Sequence, residues 1–142
     1  MRFWDSSAVI PLLVEQDASA AVGRALEADA DISAWWGTPV ECGSAIARLE
    51  REQILSSEGA DGARSRLEAL ARSWHEVQPS EPVRRAAQRL LRLHTLRALD
   101  ALQAAAALVL AEHDPSSLSV VCLDTRLAVA LRREGFVVHV PA

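Results

Sequence analysis

Four acids in this chain stand where a carboxylate is either a helix cap or a chemical group. Asp5 closes the apolar run RFW, and Asp124 closes SVVCL. Glu41 lies in TPVECGSAI, just past the run ISAWW, and Asp100 interrupts the long apolar stretch LRALDALQAAAALVL. Taken singly, each has an ordinary reading. Asp5 and Asp124 suit helix N-caps, Glu41 suits the positive end of a helix dipole, and Asp100 has Arg97 one turn earlier on the same helix as a partner. Taken together they read differently. Carboxylates about 4 Å apart repel by roughly 4 kcal/mol per pair at an effective dielectric near 20. Several at one rim are therefore partly protonated or neutralised by a cation. All-oxygen donors with water favour Mg²⁺ or Mn²⁺, and such a site hydrolyses phosphate esters by polarising the phosphate and activating a bound water.

The elements that must bring these acids together are short strands alternating with helices. Residues 2–5, 31–36, 118–124 and 136–140 read as apolar strands. Segments 17–30, 38–55, 63–77, 79–94, 96–114 and 125–135 show helical spacing, with Pro39 in a first turn and Gly135 as a stop. Residues 56–62, SSEGADG, read as a loop between two helices. Alternation of this kind predicts an α/β chain, a three-layer α/β/α sandwich around a mainly parallel sheet, whose site lies beyond the carboxyl ends of the strands. Asp5, Asp124 and Glu41 would then share one rim. At 142 residues the chain is one domain, 1–142.

Composition narrows the function. The chain holds no run of roughly 18 apolar residues, so no membrane span is expected, and Met1 leads into a strand-like segment without a signal core, which predicts a cytoplasmic protein. Cys42 and Cys122 lack metal or disulfide spacing and read as buried hydrophobes. The four histidines form no ligand pattern. Net charge is −4, with nineteen acids against fifteen basic residues, all arginine. Setting aside the four candidate acids leaves fifteen, which balance the arginines, so a candidate acidic site accounts for the net charge.

WDSSAV, PVECGSAIARL, HTLRALDALQAAAAL and VVCLDTRLAVALRREGF, in that order, resemble the PIN domain, in particular VapC-type ribonuclease toxins of toxin–antitoxin pairs. The resemblance runs from about residue 3 to 140 and is weakest over 50–80. It implies a PIN-like sandwich that uses Mg²⁺ or Mn²⁺ to cleave RNA, with Asp5, Glu41, Asp100 and Asp124 as catalytic and metal-binding acids. Ser6 matches the hydroxyl that follows the first acid, and Arg97 and Thr125 are supporting neighbours. The resemblance also implies a homodimer, a cognate antitoxin partner and an RNA substrate. Gln103 and Ala106 depart from the family's usual residues and are expected to affect packing only.

Arg85, Arg89 and Arg92 share one helical face in an acid-free stretch and could track an RNA backbone, or equally form a solvated face. Trp4, Trp35, Trp36 and Trp74 could stack on bases, though most fall at strands and read as core. Two rival readings remain. An aspartyl phosphotransfer site wants an acid where Ser7 stands, or a late lysine that this chain lacks. A catalytically silent PIN-like binding scaffold is argued against by the four intact acids.

Overall fold

The computed structural model describes all residues, 1–142. Five strands, β1 (Arg2–Trp4), β2 (Ile32–Trp35), β3 (His75–Val77), β4 (Ser119–Val121) and β5 (Val137–His139), form one sheet in the order β3-β2-β1-β4-β5. Every pairing is parallel. Seven helices connect them: α1 (Ser6–Leu13), α2 (Ser19–Ala28), α3 (Thr38–Arg51), α4 (Ser57–Ser73), α5 (Glu81–Leu93), α6 (Ala98–Leu110) and α7 (Thr125–Glu134).

Pleating sorts the core into two halves. Phe3, Trp35, Val77, Val120 and Cys122 face α5, α6 and α7, whereas their neighbours Trp4, Ala34 and Val121 face α1, α3 and α4. The sheet is thus covered on both sides, which is why its strands read as continuous apolar runs. From β1 the chain winds outward to β2 and β3, then crosses back to β4 on the other side of β1. The crevice between the carboxyl ends of β1 and β4 is a topological switch point, the place where open α/β sheets bind ligands. Asp5 and Asp124 stand at those two strand ends.

The sandwich matches the expected PIN-like architecture, and the sheet is wholly parallel. Four local readings are corrected. Residues 56–62 are not a loop: Ser56 Oγ accepts the Gly59 amide at 3.0 Å and starts α4 there. Residues 75–77 are strand β3 and not the tail of that helix. Trp74 ends α4 yet stays buried in the same core, so the apolar spacing runs past the real helix end. Helix α1 starts directly after Asp5, where no helix was assigned from spacing, and it contains Pro11. Helix α6 stops at Leu110, because Glu112 and His113 adopt positive φ angles of 53° and 60°. Gly135 does end α7, at φ 105°. No helix is long and apolar enough to cross a membrane.

One close approach fixes the entry to α3. A Cβ on Gly37 would lie 2.5 Å from Nε1 of the buried Trp35 indole, which has no room to yield. Gly43, on the same helix, has open space around it. Gly37→Ala should therefore cost about 1–3 kcal/mol, whereas Gly43→Ala should stabilise by about 0.5–1 kcal/mol through helix propensity. Urea unfolding of the two variants reads both, and equal stability would refute the tight fit.

Candidate active site

All four predicted acids sit at helix N-termini. Asp5 caps α1, Glu41 lies in the first turn of α3, Asp100 in the first turn of α6, and Asp124 caps α7. Each helix presents unpaired amides and the positive end of its dipole to its acid. Glu41, Asp100 and Asp124 line a cavity of about 700 Å³ together with Arg97, Thr125 and Arg126. Asp5 is 3 % exposed, and its carboxylate feels the charges of both Asp124 and Asp100.

Capping and site chemistry are not alternatives here, because the two oxygens of each Asp divide the work. Asp5 Oδ2 accepts the Ser7 amide at 3.1 Å and the Ser7 hydroxyl, with Cys122 Sγ at 3.7 Å. Its Oδ1 takes no hydrogen bond from the protein. Asp124 Oδ1 accepts the Leu127 amide at 2.9 Å, and its Oδ2 is likewise left free. Asp5 thus keeps the cap of α1 itself. Ser7 instead ties the end of β4 to Asp5, since its Oγ accepts the amides of Leu123 and Asp124 at 2.9 and 3.2 Å.

Glu41 is held at both oxygens. Ser6 Oγ donates to Oε1 at 3.1 Å, and Gln103 Nε2 donates to Oε2 at 2.7 Å and to the buried Thr38 hydroxyl at 3.0 Å. Gln103 Oε1 remains buried without a partner. Gln103 is thus no packing substitution. It is the side chain by which α6 grips Glu41, one turn along from Asp100. Its signal was present in the sequence, as the only other polar residue interrupting the apolar face that Asp100 interrupts.

Electrostatics follow from crowding and burial. Burial, then the charges of Asp5 and Asp100, push the Glu41 carboxyl up to about 7 against the pull of its two hydrogen bonds. Asp5 is raised chiefly by burial, and Asp100 by burial and then by Asp124. Arg97 and Arg126 draw Asp100 back down, although neither makes an ion pair within 4.0 Å. Arg126 was not anticipated, and nothing in its spacing marked it. Cys42 and Cys122 are buried and free, with burial pushing both thiols up to about 12, which leaves them without nucleophilic chemistry at neutral pH.

As the side chains stand, no three of the acids, cysteines or histidines meet closely enough to ligate one ion directly. The donor set still suits a hard cation that keeps most of its waters, as Mg²⁺ does. Free oxygens on Asp5 and Asp124, with Asp100 on the cavity wall, could hold it.

The arginine stripe lies elsewhere. Arg85 faces Glu81 at 3.9 Å and Arg89 pairs with Glu134. Both line a separate cavity against Leu108 and His113, near the opposite end of α6 from Asp100. Arg92 is exposed and unpaired. Of the tryptophans, Trp4, Trp35 and Trp74 are buried as expected, but Trp36 is 51 % exposed. It stands two residues before Thr38 with its ring edge-on to Trp35, centroids 6.5 Å apart.

No family model matches the sequence, and no curated protein matches it. Solved structures do. A chain of a toxin–antitoxin complex from Klebsiella pneumoniae superposes with a TM-score of 0.69 at 15 % identity, covering 100 % of this chain and 98 % of that one. A chain of FitAcB from Neisseria gonorrhoeae gives 0.68 at 22 % identity, covering 99 % and 98 %. A chain of VapBC2 from Rickettsia felis, solved bound to a promoter DNA fragment, gives 0.67 at 10 % identity, covering 97 % and 96 %. At these identities the likeness is one of fold, and it runs end to end.

The raised carboxyls make stability fall with pH. Folded, Glu41 keeps its proton up to about pH 7, against an ordinary value of 4.5. The folded chain thus binds more protons than the unfolded chain within that window, and rising pH costs it stability. In chelator, the thermal midpoint should decline between about pH 4.5 and pH 7, and Glu41→Gln should flatten the decline. A midpoint that rises through this window, or an unchanged slope in the variant, contradicts the assignment.

Proposed function

We propose that this chain, which shares its fold with chains of bacterial toxin–antitoxin complexes, is a VapC-type toxin: a PIN-domain endoribonuclease dependent on Mg²⁺ or Mn²⁺. The observation that carries the proposal is the gathering of four helix-borne acids at the switch point of the sheet, three of them lining one cavity and the buried Asp5 close enough to feel the charges of Asp124 and Asp100. A cognate antitoxin that covers the acids belongs to the same proposal, supported by the neighbours' being toxin–antitoxin complexes, and a homodimer is proposed with it from the family resemblance alone.

In this reading Asp5, Asp100 and Asp124 hold the cation directly or through water. The bound ion supplies Lewis acidity toward the phosphate and lowers the pKa of a water. The rest falls to the chain's own groups. Glu41 exchanges a proton near neutral pH and is fixed by Ser6 and Gln103, so it suits either the orientation and deprotonation of the attacking water or a place beside a second ion. Arg97 and Arg126, unpaired on the cavity wall, offset the charge of the scissile phosphate. Thr125 adds a hydroxyl at the same wall, and Trp36 offers an exposed indole near the rim to an unpaired base.

The test is cleavage of a panel of RNAs by the purified chain with Mg²⁺ or Mn²⁺. Asp5→Asn and Asp100→Asn should each lose nearly all activity. Gln103→Ala, which releases Glu41 without touching an ion, should lose roughly 10- to 100-fold. Cleavage that survives chelation, or that is equal in wild type and both Asn variants, refutes the mechanism. Cleavage by none of them, with RNA still bound, would favour the silent scaffold.

A further inference from the structure

A second cavity, of about 230 Å³, adjoins the acidic one and shares Arg126 with it. Its walls are one face of α7, formed by Arg126, Val129, Ala130 and Arg133, and the segment that joins α5 to α6, contributing His94 and Thr95. Arg126 and Arg133 are seven residues apart, two helical turns or about 10.5 Å along the axis. With Arg97 on the acidic cavity, three exposed arginines line these two adjoining cavities, and none has a carboxylate within 4.0 Å. This separates them from Arg85 and Arg89, which acids already engage.

His94 closes one wall of this cavity. Its side chain is 8 % exposed, and Nε2 sits 2.7 Å from Glu134 Oε2 on the side where Arg89 also pairs with that carboxylate. Its Nδ1 is buried with no partner, so the imidazole shapes the wall and leaves the contacts to its neighbours. Thr95, next to it, carries a hydroxyl on the same wall. The apolar floor of Val129 and Ala130 leaves the guanidinium groups as the main polar features, a chemistry suited to an oxyanion and not to a neutral ligand.

We infer that this cavity is part of a phosphate-binding track: Arg126 and Arg133, with the Thr95 hydroxyl beside them, hold backbone phosphates of the RNA strand beyond the one in the acidic cavity. The inference rests on the ribonuclease reading and adds to it a direction for the substrate, away from Asp124 along α7. It displaces the arginine stripe of α5 as the RNA contact. An acidic peptide segment is the competing occupant. RNA is favoured because the cavity adjoins the acidic one at Arg126, and a strand held for cleavage must continue past the acids in some direction.

The experiment uses full-length protein carrying Asp5→Asn to prevent cleavage, and reads binding of a labelled, unstructured oligouridylate by anisotropy across a salt series. Arg133→Gln should weaken binding and reduce the slope of log affinity against log salt by about 0.7, the value of one phosphate contact on a single strand. Arg133→Lys should restore that slope. Arg132→Gln, exposed on the same helix but outside the groove, should match the parent. RNA cleavage by wild type together with an unchanged slope in Arg133→Gln overturns the track alone. Unchanged RNA affinity with lost binding of a co-expressed partner protein overturns it in favour of an acidic peptide. A parent that does not bind RNA, together with a wild type that does not cut it, overturns the ribonuclease reading, and the track with it.

Discussion

Gathering four carboxylates at one rim is the constraint around which the rest of the structure is arranged. Each helix N-terminus carries about half an elementary positive charge, so the four that meet the acids offset about two of the four negative charges. About two remain, the charge that one divalent cation carries. Burial first, and then this mutual repulsion, raise the carboxyls of Asp5, Glu41 and Asp100. Splitting the oxygens of Asp5 and Asp124 lets the same residue satisfy a helix end and still present a free lone pair. Removing either acid would therefore unsettle a helix start as well as the site.

Topology supplies three of the helix ends directly. Helices α1, α3 and α7 start within a few residues of the carboxyl ends of β1, β2 and β4, so a parallel sheet delivers Asp5, Glu41 and Asp124 to one side. Asp100 arrives differently, on the return arm of the α5–α6 hairpin. Its helix must lie close to the sheet, and the buried alanines 101 and 104–107 allow that approach by keeping side chains small. Gln103 then reads out the fit. Its amide meets Thr38 and Glu41 only if α6 is seated to within a hydrogen-bond length, so packing of a distant alanine face sets the position of a catalytic candidate.

What could be read from residues alone follows from this division. Strand ends and caps are local events: Asp5 after RFW, Asp124 after SVVCL and Gly135 after α7 each signal within a few positions, and all three sit as their signals say. Strand β3 gave no such signal, because only Val77 of its three residues is buried, and the helical spacing before it ran on through Trp74. The start of α4 was masked by two glycines that are tolerated because Ser56 caps the turn. The bond between Gln103 and Glu41 spans 62 residues, and the gathering of Arg97, Arg126 and Arg133 joins two helices. Neither has a period that a sequence pattern could reveal.

Charge shows the same limit most sharply. A net −4 argues against nucleic acid as a partner only if charge is spread evenly, and here it is not. Glu81 and Glu134 engage Arg84, Arg85 and Arg89, so the stretch richest in arginine contributes less open positive charge than its count suggests. The arginines without carboxylate partners include those beside the acids, at Arg97 and Arg126, and the surplus of negative charge lies in the cavity between them. A polyanion approaching that cavity meets repulsion from the carboxylates and attraction from their flanks. The repulsion is what a bound cation removes, and the attraction persists with or without it. Under the proposed nuclease reading, affinity for a phosphate backbone and competence to cut it thus rest on different residues.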